Sequence, residues 1–298
     1  MNSSARQGLP ASAEALVSGV VDYAGLFPPA ALSMREALAA FAKASTTADA
    51  LLLGRFVVPA GRITEMREHL GIVSLPIHLS VIVNDRSDAD IAALAQCDGT
   101  SVIVDALECK SKDLDGIDWL ADKTAGLGAD VYVEIDPAAD LPAWFARLAA
   151  HRLRAKIRTG GTVATAFPPP AAIVDFMTAA LNAGVPFKAT AGLHHAVRGR
   201  YRLTYEQDSA NAVMHGYLNV LLAAAALRSG QPRAIAEQVL QLDDRAALVF
   251  GDRSVRWGSL EWANDILRST RADLVGFGSC SITEPADDIR ALTSSTQS

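Results

Sequence analysis

Eight short hydrophobic runs alternate with helix-length segments along the chain, and this alternation restricts the fold more than any other feature of the sequence. The helical segments carry boundary signals. Ser33 and Glu36 form a capping-box pattern, and Gly71, Gly128 and Gly184 stand where helices end. Strict alternation predicts a parallel sheet, and eight strands in about 250 or more residues predict a closed barrel. The predicted strands are Val17–Val21, Leu51–Val58, Pro76–Val83, Ser101–Ala106, Asp130–Ile135, Leu153–Arg158, Pro186–Ala191 and Asp273–Ser279.

The competing architecture is an open, doubly wound sheet. That fold usually carries a glycine-rich phosphate-binding turn near its start, and neither a G-x-G-x-x-G nor a Walker sequence occurs here. We therefore predict an α/β protein with a (β/α)₈ TIM barrel that forms a single domain over residues 1–298.

Residues 192–272 interrupt the alternation between the seventh and eighth predicted strands. This segment is too long to lack structure of its own. It contains an apolar helix over Asn211–Arg228, a second helix near Ala234–Leu240 and a tryptophan-bearing stretch over Arg256–Leu267. We predict an extended helical insertion that serves as a lid, as a dimerisation element, or as both. The helix over residues 211–228 is the candidate surface for a homo-oligomer.

Two polar groups in this insertion have their own pattern. Arg198, Arg200 and Arg202 alternate as on one face of a hairpin, which is typical of a lid over an anionic substrate or of a solvated basic face. His215 and Asn219 lie four residues apart on the apolar helix and share a face, which indicates structural polar contacts.

Charge and hydropathy exclude several classes of function. The formal net charge of −6 gives no general attraction to nucleic acid or to an anionic membrane. The most membrane-like stretch, Ala212–Leu227, is shorter than the ~20 residues that a spanning helix needs. The first residues lack a signal-peptide pattern, and the three cysteines match no disulfide or zinc spacing. We expect a cytoplasmic protein with no nucleic-acid or membrane partner, no cofactor and no assigned metal ligand.

The direction of the side chains in each predicted strand follows from its alternation. In the sixth strand, Leu153, Ala155 and Ile157 suit the helix layer. Their neighbours Lys156 and Arg158 therefore point into the barrel. The same alternation directs further polar side chains inward, including His78, Ser80, Asp105, Glu134, Lys188 and Thr190.

The charged positions of this inner surface cluster near the carboxyl ends of the strands, where barrel active sites form. Most barrel interiors are filled by branched apolar side chains, and an isolated buried charge is costly unless it is paired. One explanation of the charges is a structural ion-pair network, and the other is an active site. Their position favours an enzyme.

Lys156 and Lys188 lie on neighbouring predicted strands, and this pair indicates the chemistry. A lysine is nucleophilic only when it is neutral, and desolvation or an adjacent cation disfavours its ammonium form. With its pKa lowered by Lys188, Lys156 could attack a carbonyl to form a Schiff base, while Asp105 and Glu134 relay protons. The same cations could instead clamp an anion passively, and periodicity does not separate these uses.

Three local motifs resemble segments of deoxyribose-phosphate aldolase, which belongs to the class I (Schiff-base) aldolases. Residues 156–160, K-I-R-T-G, resemble the K-x-x-T-G segment that holds the family's Schiff-base lysine on strand six. Residues 188–192, K-A-T-A-G, resemble its strand-seven K-x-x-G-G, and residues 277–281, F-G-S-C-S, its strand-eight F-G-x-S-S. The resemblance implies the following roles: Lys156 is the nucleophile, Lys188 its activator and Asp105 the acid–base residue, and Gly278 and Ser281 contact a phosphate.

The sequence departs from that family's pattern in ways that affect the substrate. Arg158 stands where the family has a small polar residue, Ala191 replaces a glycine, Cys280 breaks the serine pair, and the insertion has no counterpart. We therefore expect a lyase-type enzyme that acts on a small anionic carbonyl or sugar-phosphate-like substrate other than deoxyribose phosphate. The remaining expected substrate-binding residues are Arg158, Thr190, His194, His78 and Ser279.

Two other functions stay open at this point. Glu134, Asp105 and His78, with the His194-His195 pair near the barrel mouth, could hold a divalent metal in a hydrolase, isomerase or lyase. The other possibility is a barrel that binds a small anion without any chemistry.

Overall fold

The computed structural model describes residues 8–294 and shows a closed barrel of eight parallel strands. Consecutive barrel strands are neighbours around the ring, and the last strand closes it by pairing with the first, so that Val21 is level with Phe277. This confirms the predicted (β/α)₈ TIM barrel. The barrel strands are β1 (Val21–Tyr23), β2 (Leu53–Pro59), β3 (Ile77–Val83), β4 (Val102–Cys109), β5 (Asp130–Ile135), β6 (Arg154–Arg158), β7 (Phe187–Thr190) and, after five strands of the insertion, β13 (Leu274–Ser279).

Helices alternate with these strands. They are α1 (Ala11–Val17), α2 (Met34–Ser45), α3 (Ile63–Glu68), α4 (Asp88–Ala93), α5 (Leu114–Thr124), α6 (Leu141–His151), α7 (Pro170–Ala183), α8 (Tyr217–Arg228), α9 (Arg233–Gln241), α10 (Asn264–Asp273) and α11 (Thr283–Ser294). Helices α2 to α7 follow β1 to β6 in turn, α8 follows β7, and α11 follows β13. The predicted capping box opens α2: the Ser33 hydroxyl accepts from the Glu36 N–H, and the Glu36 carboxylate accepts from the Ser33 N–H at 3.0 Å.

The first predicted strand, over residues 17–21, is wrong in its position. Val17 ends helix α1 instead, because it forms a fully buried helical face together with Leu16. Gly19, with a φ of +59°, then turns the chain before β1 begins. Strand β1 consequently carries Asp22 into the barrel, where this residue is 4% exposed.

The insertion is only partly helical. Strands β8 (Gly199–Arg202) and β9 (Asn211–Met214) form an antiparallel ribbon. Strands β10 (Leu248–Phe250), β11 (Ser254–Trp257) and β12 (Leu260–Ala263) form a separate three-stranded antiparallel sheet. The helix predicted to begin at residue 211 therefore begins six residues later, and half of the tryptophan-bearing stretch is sheet. Helix α9 confirms the second predicted helix.

Helix α8 takes the place of the seventh barrel helix and packs against α7, α9 and α10. All residues from Tyr217 to Ala226 are buried within the chain itself. The expectation that this helix offers a homo-oligomer surface is therefore wrong. Asn219 is fully buried and donates to the carbonyl oxygens of Val239 at 2.7 Å and Leu242 at 2.8 Å, which confirms its predicted structural role. None of the described helices combines the length and apolarity needed to cross a bilayer.

Candidate functional site

A cavity of about 470 Å³ opens at the carboxyl-terminal end of the barrel strands. Arg158 and Thr190, the last residues of β6 and β7, contribute to its wall, as does Gly278 near the end of β13. The lining residues are Ala24, Phe27, Pro28, Pro29, Val57, Ile82, Val83, Asn84, Asp85, Glu108, Lys110, Glu134, Lys156, Arg158, Gly161, Thr162, Thr190, Ala191, Gly192, His194, Gly278 and Cys280.

Lys156 lines this cavity from β6, although its residue is only 5% exposed. The parallel register places Glu134 of β5 and Lys188 of β7 level with it on either side. The Lys156 Nζ lies 3.0 Å from Oε2 of Glu134 and 3.0 Å from Oε2 of Glu108. The structure thus brings Lys156, Lys188 and Glu134 together, as the alternation of their strands predicts.

Lys188 is more deeply buried than Lys156 and does not line the cavity. Its Nζ donates to the Asp22 carboxylate and to Oε1 of Glu108, the latter at 2.7 Å. The same nitrogen lies 5.4 Å from the centre of the Tyr132 ring, within the range of a cation–π contact. Of the two lysines, Lys156 is therefore the one that a ligand in the cavity can reach.

Carboxylates between the two lysines set their ionisation. Burial alone would lower the pKa of Lys156, but the charges of Glu108 and Glu134 outweigh burial and raise it. Burial is likewise outweighed at Lys188, where Asp22 and Glu108 raise the pKa. The prediction that Lys188 lowers the pKa of Lys156 is wrong, because Glu108 bonds to both amines and neutralises their repulsion. In this arrangement both lysines are ammonium ions at neutral pH.

Glu108 is the central residue of the site, and strand alternation did not predict it. Strand β4 continues to residue 109, beyond its predicted end at residue 106, and its register against β3 shifts near Asp105. Past this irregularity Glu108 points inward, and its Oε1 accepts from the Ser80 hydroxyl at 2.6 Å. Burial would raise the pKa of Glu108, but Lys188 and Lys156 outweigh it and hold this pKa well below its usual range.

Asp105 and His78 lie at the opposite end of the barrel, level with the strand starts. The Asp105 Oδ2 is 2.8 Å from Nδ1 of His78 and 3.8 Å from Nε of Arg55. Asp130 and Arg154, the first residues of β5 and β6, pair with each other in the same layer. Neither Asp105 nor His78 lines the cavity. Their predicted place at the mouth is wrong, because the irregularity in β4 makes Glu108, not Asp105, its last inward acid.

Asp22 connects the ion pairs near the strand starts to the lysines. One of its oxygens, Oδ2, accepts from Lys188 and lies 3.8 Å from a terminal nitrogen of Arg55. The other, Oδ1, accepts from the Arg55 backbone N–H at 3.0 Å. A series of ion pairs therefore runs from the end of the barrel where the strands begin to the cavity at the other end.

The expected substrate-binding residues divide into two groups. Arg158, Thr190, His194 and Gly278 line the cavity, whereas Ser279 and Ser281 do not. The Arg158 side chain is 53% exposed, and its Nε lies 3.6 Å from Oε1 of Glu134. A Cβ on Gly278 would lie 3.0 Å from the Thr190 hydroxyl, so the absence of a side chain keeps this wall open.

His194 belongs to a polar cluster in the cavity wall. Its Nδ1 lies 3.7 Å from Sγ of Cys280 and 3.4 Å from Oε2 of Glu284, which also accepts from the Tyr205 hydroxyl at 3.0 Å. Burial would lower the pKa of His194, but the contacts with Cys280 and Glu284 raise it to about 9. His194 and Glu284 therefore compensate each other's charge beside the cavity. Across residues 8–294, no group of three or more His, Cys, Asp or Glu side chains has the arrangement of a metal site.

Fold and site together define a (β/α)₈ barrel with a lysine-bearing cavity at the carboxyl ends of its strands. No protein-family model and no curated protein matches the chain. Among solved structures, the chain resembles the deoxyribose phosphate aldolase from Aeropyrum pernix, which is described as tetrameric, with 10% sequence identity and a TM-score of 0.49. The match covers 94% of this chain and 97% of that chain.

Proposed function

We propose that this chain is a lyase-type enzyme in which Lys156 forms a Schiff base with the carbonyl group of a small anionic substrate. The observation that carries the proposal is the position of the Lys156 amine. It is nearly buried, it borders an open cavity, and it lies 3.0 Å from each of two carboxylates that can take up its proton. A lysine beside a general base can lose its proton to that base as it adds to a carbonyl carbon.

The two carboxylates differ in their suitability as proton acceptors. Glu108 is 2% exposed, and its charge also compensates Lys188. Glu134 is 7% exposed, and its second oxygen faces Arg158 at the edge of the cavity. Protonation of Glu108 would leave the buried Lys188 with less compensation, whereas protonation of Glu134 leaves Lys156 neutral beside Glu108. We therefore assign proton transfer to Glu134 and electrostatic support to Glu108.

The proposed reaction follows from this assignment. Glu134 takes a proton from the Lys156 ammonium, and the neutral amine adds to the substrate carbonyl carbon while the carbonyl oxygen receives that proton. A second proton leaves the nitrogen through Glu134 and joins the hydroxyl group, which departs as water. The net change is one ammonium and one carbonyl converted to one iminium and one water.

Carbon–carbon cleavage uses the same two groups. The iminium draws in the electron pair of the bond between the α carbon and the β carbon that carries a hydroxyl group. Glu134 accepts the proton of that hydroxyl, so the products are an enamine on Lys156 and a free aldehyde. Protonation of the enamine carbon and hydrolysis of the iminium then restore the lysine.

The charges around the cavity support an anionic substrate. Arg158 and Lys110 line it together with the acids Asp85, Glu108 and Glu134, and the Arg158 side chain is half exposed. Guanidinium groups bind carboxylates and phosphates through paired hydrogen bonds. These cations suit the carboxylate or phosphate of a bound carbonyl compound.

Borohydride trapping tests the proposal directly. The protein is incubated with a panel of small aldehydes and keto acids, reduced, and digested for peptide mass spectrometry. We expect a stable adduct on Lys156 and none on Lys110, which lines the same cavity and serves as the internal control. Lys156→Arg keeps the positive charge between the two carboxylates and should fold while forming no adduct.

A specific observation favours a second function. Both amines are held in salt bridges, as in a structural ion-pair network, and such a barrel could bind an anion without chemistry. No trapped adduct, together with equal anion binding by the wild type and Lys156→Arg, would establish this second function. Activity that is lost on chelation and restored by a divalent metal, again with no adduct, would overturn the proposal in favour of metal-dependent chemistry.

A further inference from the structure

A second cavity of about 380 Å³ adjoins the lysine cavity. The two share Pro29 and His194 as wall residues, so they lie side by side. The β8–β9 ribbon of the insertion and the segment that joins its two strands provide most of the second wall, including Arg200, Arg202 and Asn211. The insertion therefore adds a polar compartment beside the barrel's own cavity.

The two ribbon arginines have no carboxylate partners in the described part of the chain. The Arg202 side chain donates to the backbone carbonyl of Glu206, and the Arg200 side chain makes no hydrogen bond or ion pair among residues 8–294. Arg198, two residues before the first of them, does face Asp243, at 3.5 Å. Two exposed guanidinium groups on one strand are thus free to bind a ligand anion.

The carboxylate in this compartment, Glu284, does not neutralise the charge of Arg200 and Arg202. Glu284 lines the second cavity, but its carboxylate already accepts from Tyr205 at 3.0 Å and faces His194 at 3.4 Å. The amide of Asn211, opposite Arg202 on the ribbon, adds a neutral hydrogen-bonding group. The compartment therefore contains two guanidinium groups and an amide beside a single carboxylate that is already paired.

We propose that Arg200 and Arg202 bind a second anionic group of the substrate, a carboxylate or phosphate distant from the carbonyl that reacts with Lys156. The substrate class is then a carbonyl compound with an anion at its far end, long enough to pass His194 between the two cavities. This assignment rests on the proposed Schiff-base function for the carbonyl end, but the anion site itself does not require it.

The first experiment compares matched compounds in borohydride trapping. One pair is 2-oxobutyrate and 2-oxoglutarate, and the other is glyceraldehyde and glyceraldehyde 3-phosphate. The first pair tests a distal carboxylate and the second a distal phosphate. We expect the member with the distal anion to trap at lower concentration on wild-type protein. In the variant Arg200→Ala/Arg202→Ala, the half-saturating concentration of the compound with the distal anion should rise roughly tenfold or more. The half-saturating concentration of the matched compound without that anion should stay unchanged. Arg268→Ala, an exposed arginine on α10 outside both cavities, is the control.

The second experiment does not depend on a Schiff base. Inorganic pyrophosphate is titrated calorimetrically into the wild type, the double arginine variant and Lys156→Arg. Binding that is weakened in the double variant but kept in Lys156→Arg supports the anion site even where no adduct forms. Equal pyrophosphate binding by wild type and double variant, or equal trapping of both members of each pair, would overturn the assignment.

Discussion

The Lys156 amine lies 3.0 Å from Oε2 of Glu108, a carboxylate whose other oxygen accepts from Lys188. This one acid therefore compensates two buried cations from two neighbouring strands. It also explains why the lysines lie close together without either amine being forced into its neutral form. Any chemistry at Lys156 must begin with a proton transfer that leaves this pairing intact.

Replacing Glu108 by glutamine should destabilise the fold strongly. Removal of one partner from a buried ion pair typically costs about 3–5 kcal/mol, because the remaining charge is left uncompensated. We expect Glu108→Gln to lower the free energy of unfolding, measured by urea denaturation, by an amount in that range. Glu134→Gln should cost less, since Lys156 keeps Glu108 as a partner.

Two variants control for this result. Glu68→Gln changes an exposed acid on α3 and should alter stability by no more than about 0.5 kcal/mol. The double substitution Glu108→Gln/Lys188→Met removes a cation together with the acid and should recover part of the loss. If the double variant is less stable than Glu108→Gln, the explanation through uncompensated charge is wrong.

Acid should remove the contribution of the buried carboxylates. Despite burial, the lysines lower the pKa of both Glu108 and Glu134 below the unfolded value of about 4.3. Their stabilisation is thus fully present above about pH 4.3 and is lost as the pH falls through the lowered folded values. We expect the stability difference between wild type and Glu108→Gln to be constant from pH 5 to 7 and to shrink below pH 4. A constant difference down to pH 2 would contradict the lowered pKa.

Alkali should weaken the cluster around His194. Its pKa is raised from an unfolded value of about 6.5 to about 9. The stabilising contribution is therefore fully present below pH 6.5 and is lost as the pH rises through about 9. The difference in unfolding free energy between wild type and His194→Gln should decline over this interval. Calorimetric melts from pH 6 to 10 measure it, and a difference that does not change with pH would refute the prediction.

The turn after β7 offers a paired test of backbone conformation. Ala191 and Gly192 both have positive φ, at 63° and 75°, and a Cβ on Gly192 would lie 2.8 Å from a ring carbon of Phe167. Gly192→Ala should cost about 1–3 kcal/mol through crowding and strain. Ala191→Gly relieves a left-handed alanine and should be neutral or stabilising by up to about 1 kcal/mol. Urea denaturation measures both, and a Gly192→Ala variant as stable as wild type would exclude this conformation.

The sequence predicted the barrel and the inward side of β5, β6 and β7, because regular strands alternate without interruption. The inward position of Glu108 was not predicted. A register shift in β4 turns the residues beyond it to the other side of the strand, and alternation alone contains no signal for such a shift. The continued pattern Ala-Leu-Glu-Cys over residues 106–109 was the available hint that the strand runs further. Asp105 and His78 were misplaced because the alternation of a strand predicts the side on which a residue lies but not its level along the barrel axis.

The ribbon and the three-stranded sheet of the insertion were also missed. Their strands are three or four residues long, too short for periodicity to distinguish them from loops. The apolar run that begins at Ala212 combines two different elements, since β9 ends at Met214 and α8 begins at Tyr217. Burial of α8 inside the chain depends on contacts with distant segments, which local composition does not contain.

The contact of Asp22 with both Lys188 and Arg55 has a consequence for how the residues inside the barrel can be substituted during evolution. Around the lysines, three acids (Asp22, Glu108 and Glu134) face three bases (Lys156, Lys188 and Arg158), so this group is electrically balanced. A single substitution that removes one of these charges unbalances neighbours on two or three strands at once. In descendants of this chain, these positions should therefore be inherited as a block or exchanged in compensating acid–base pairs, while the surrounding surface diverges freely.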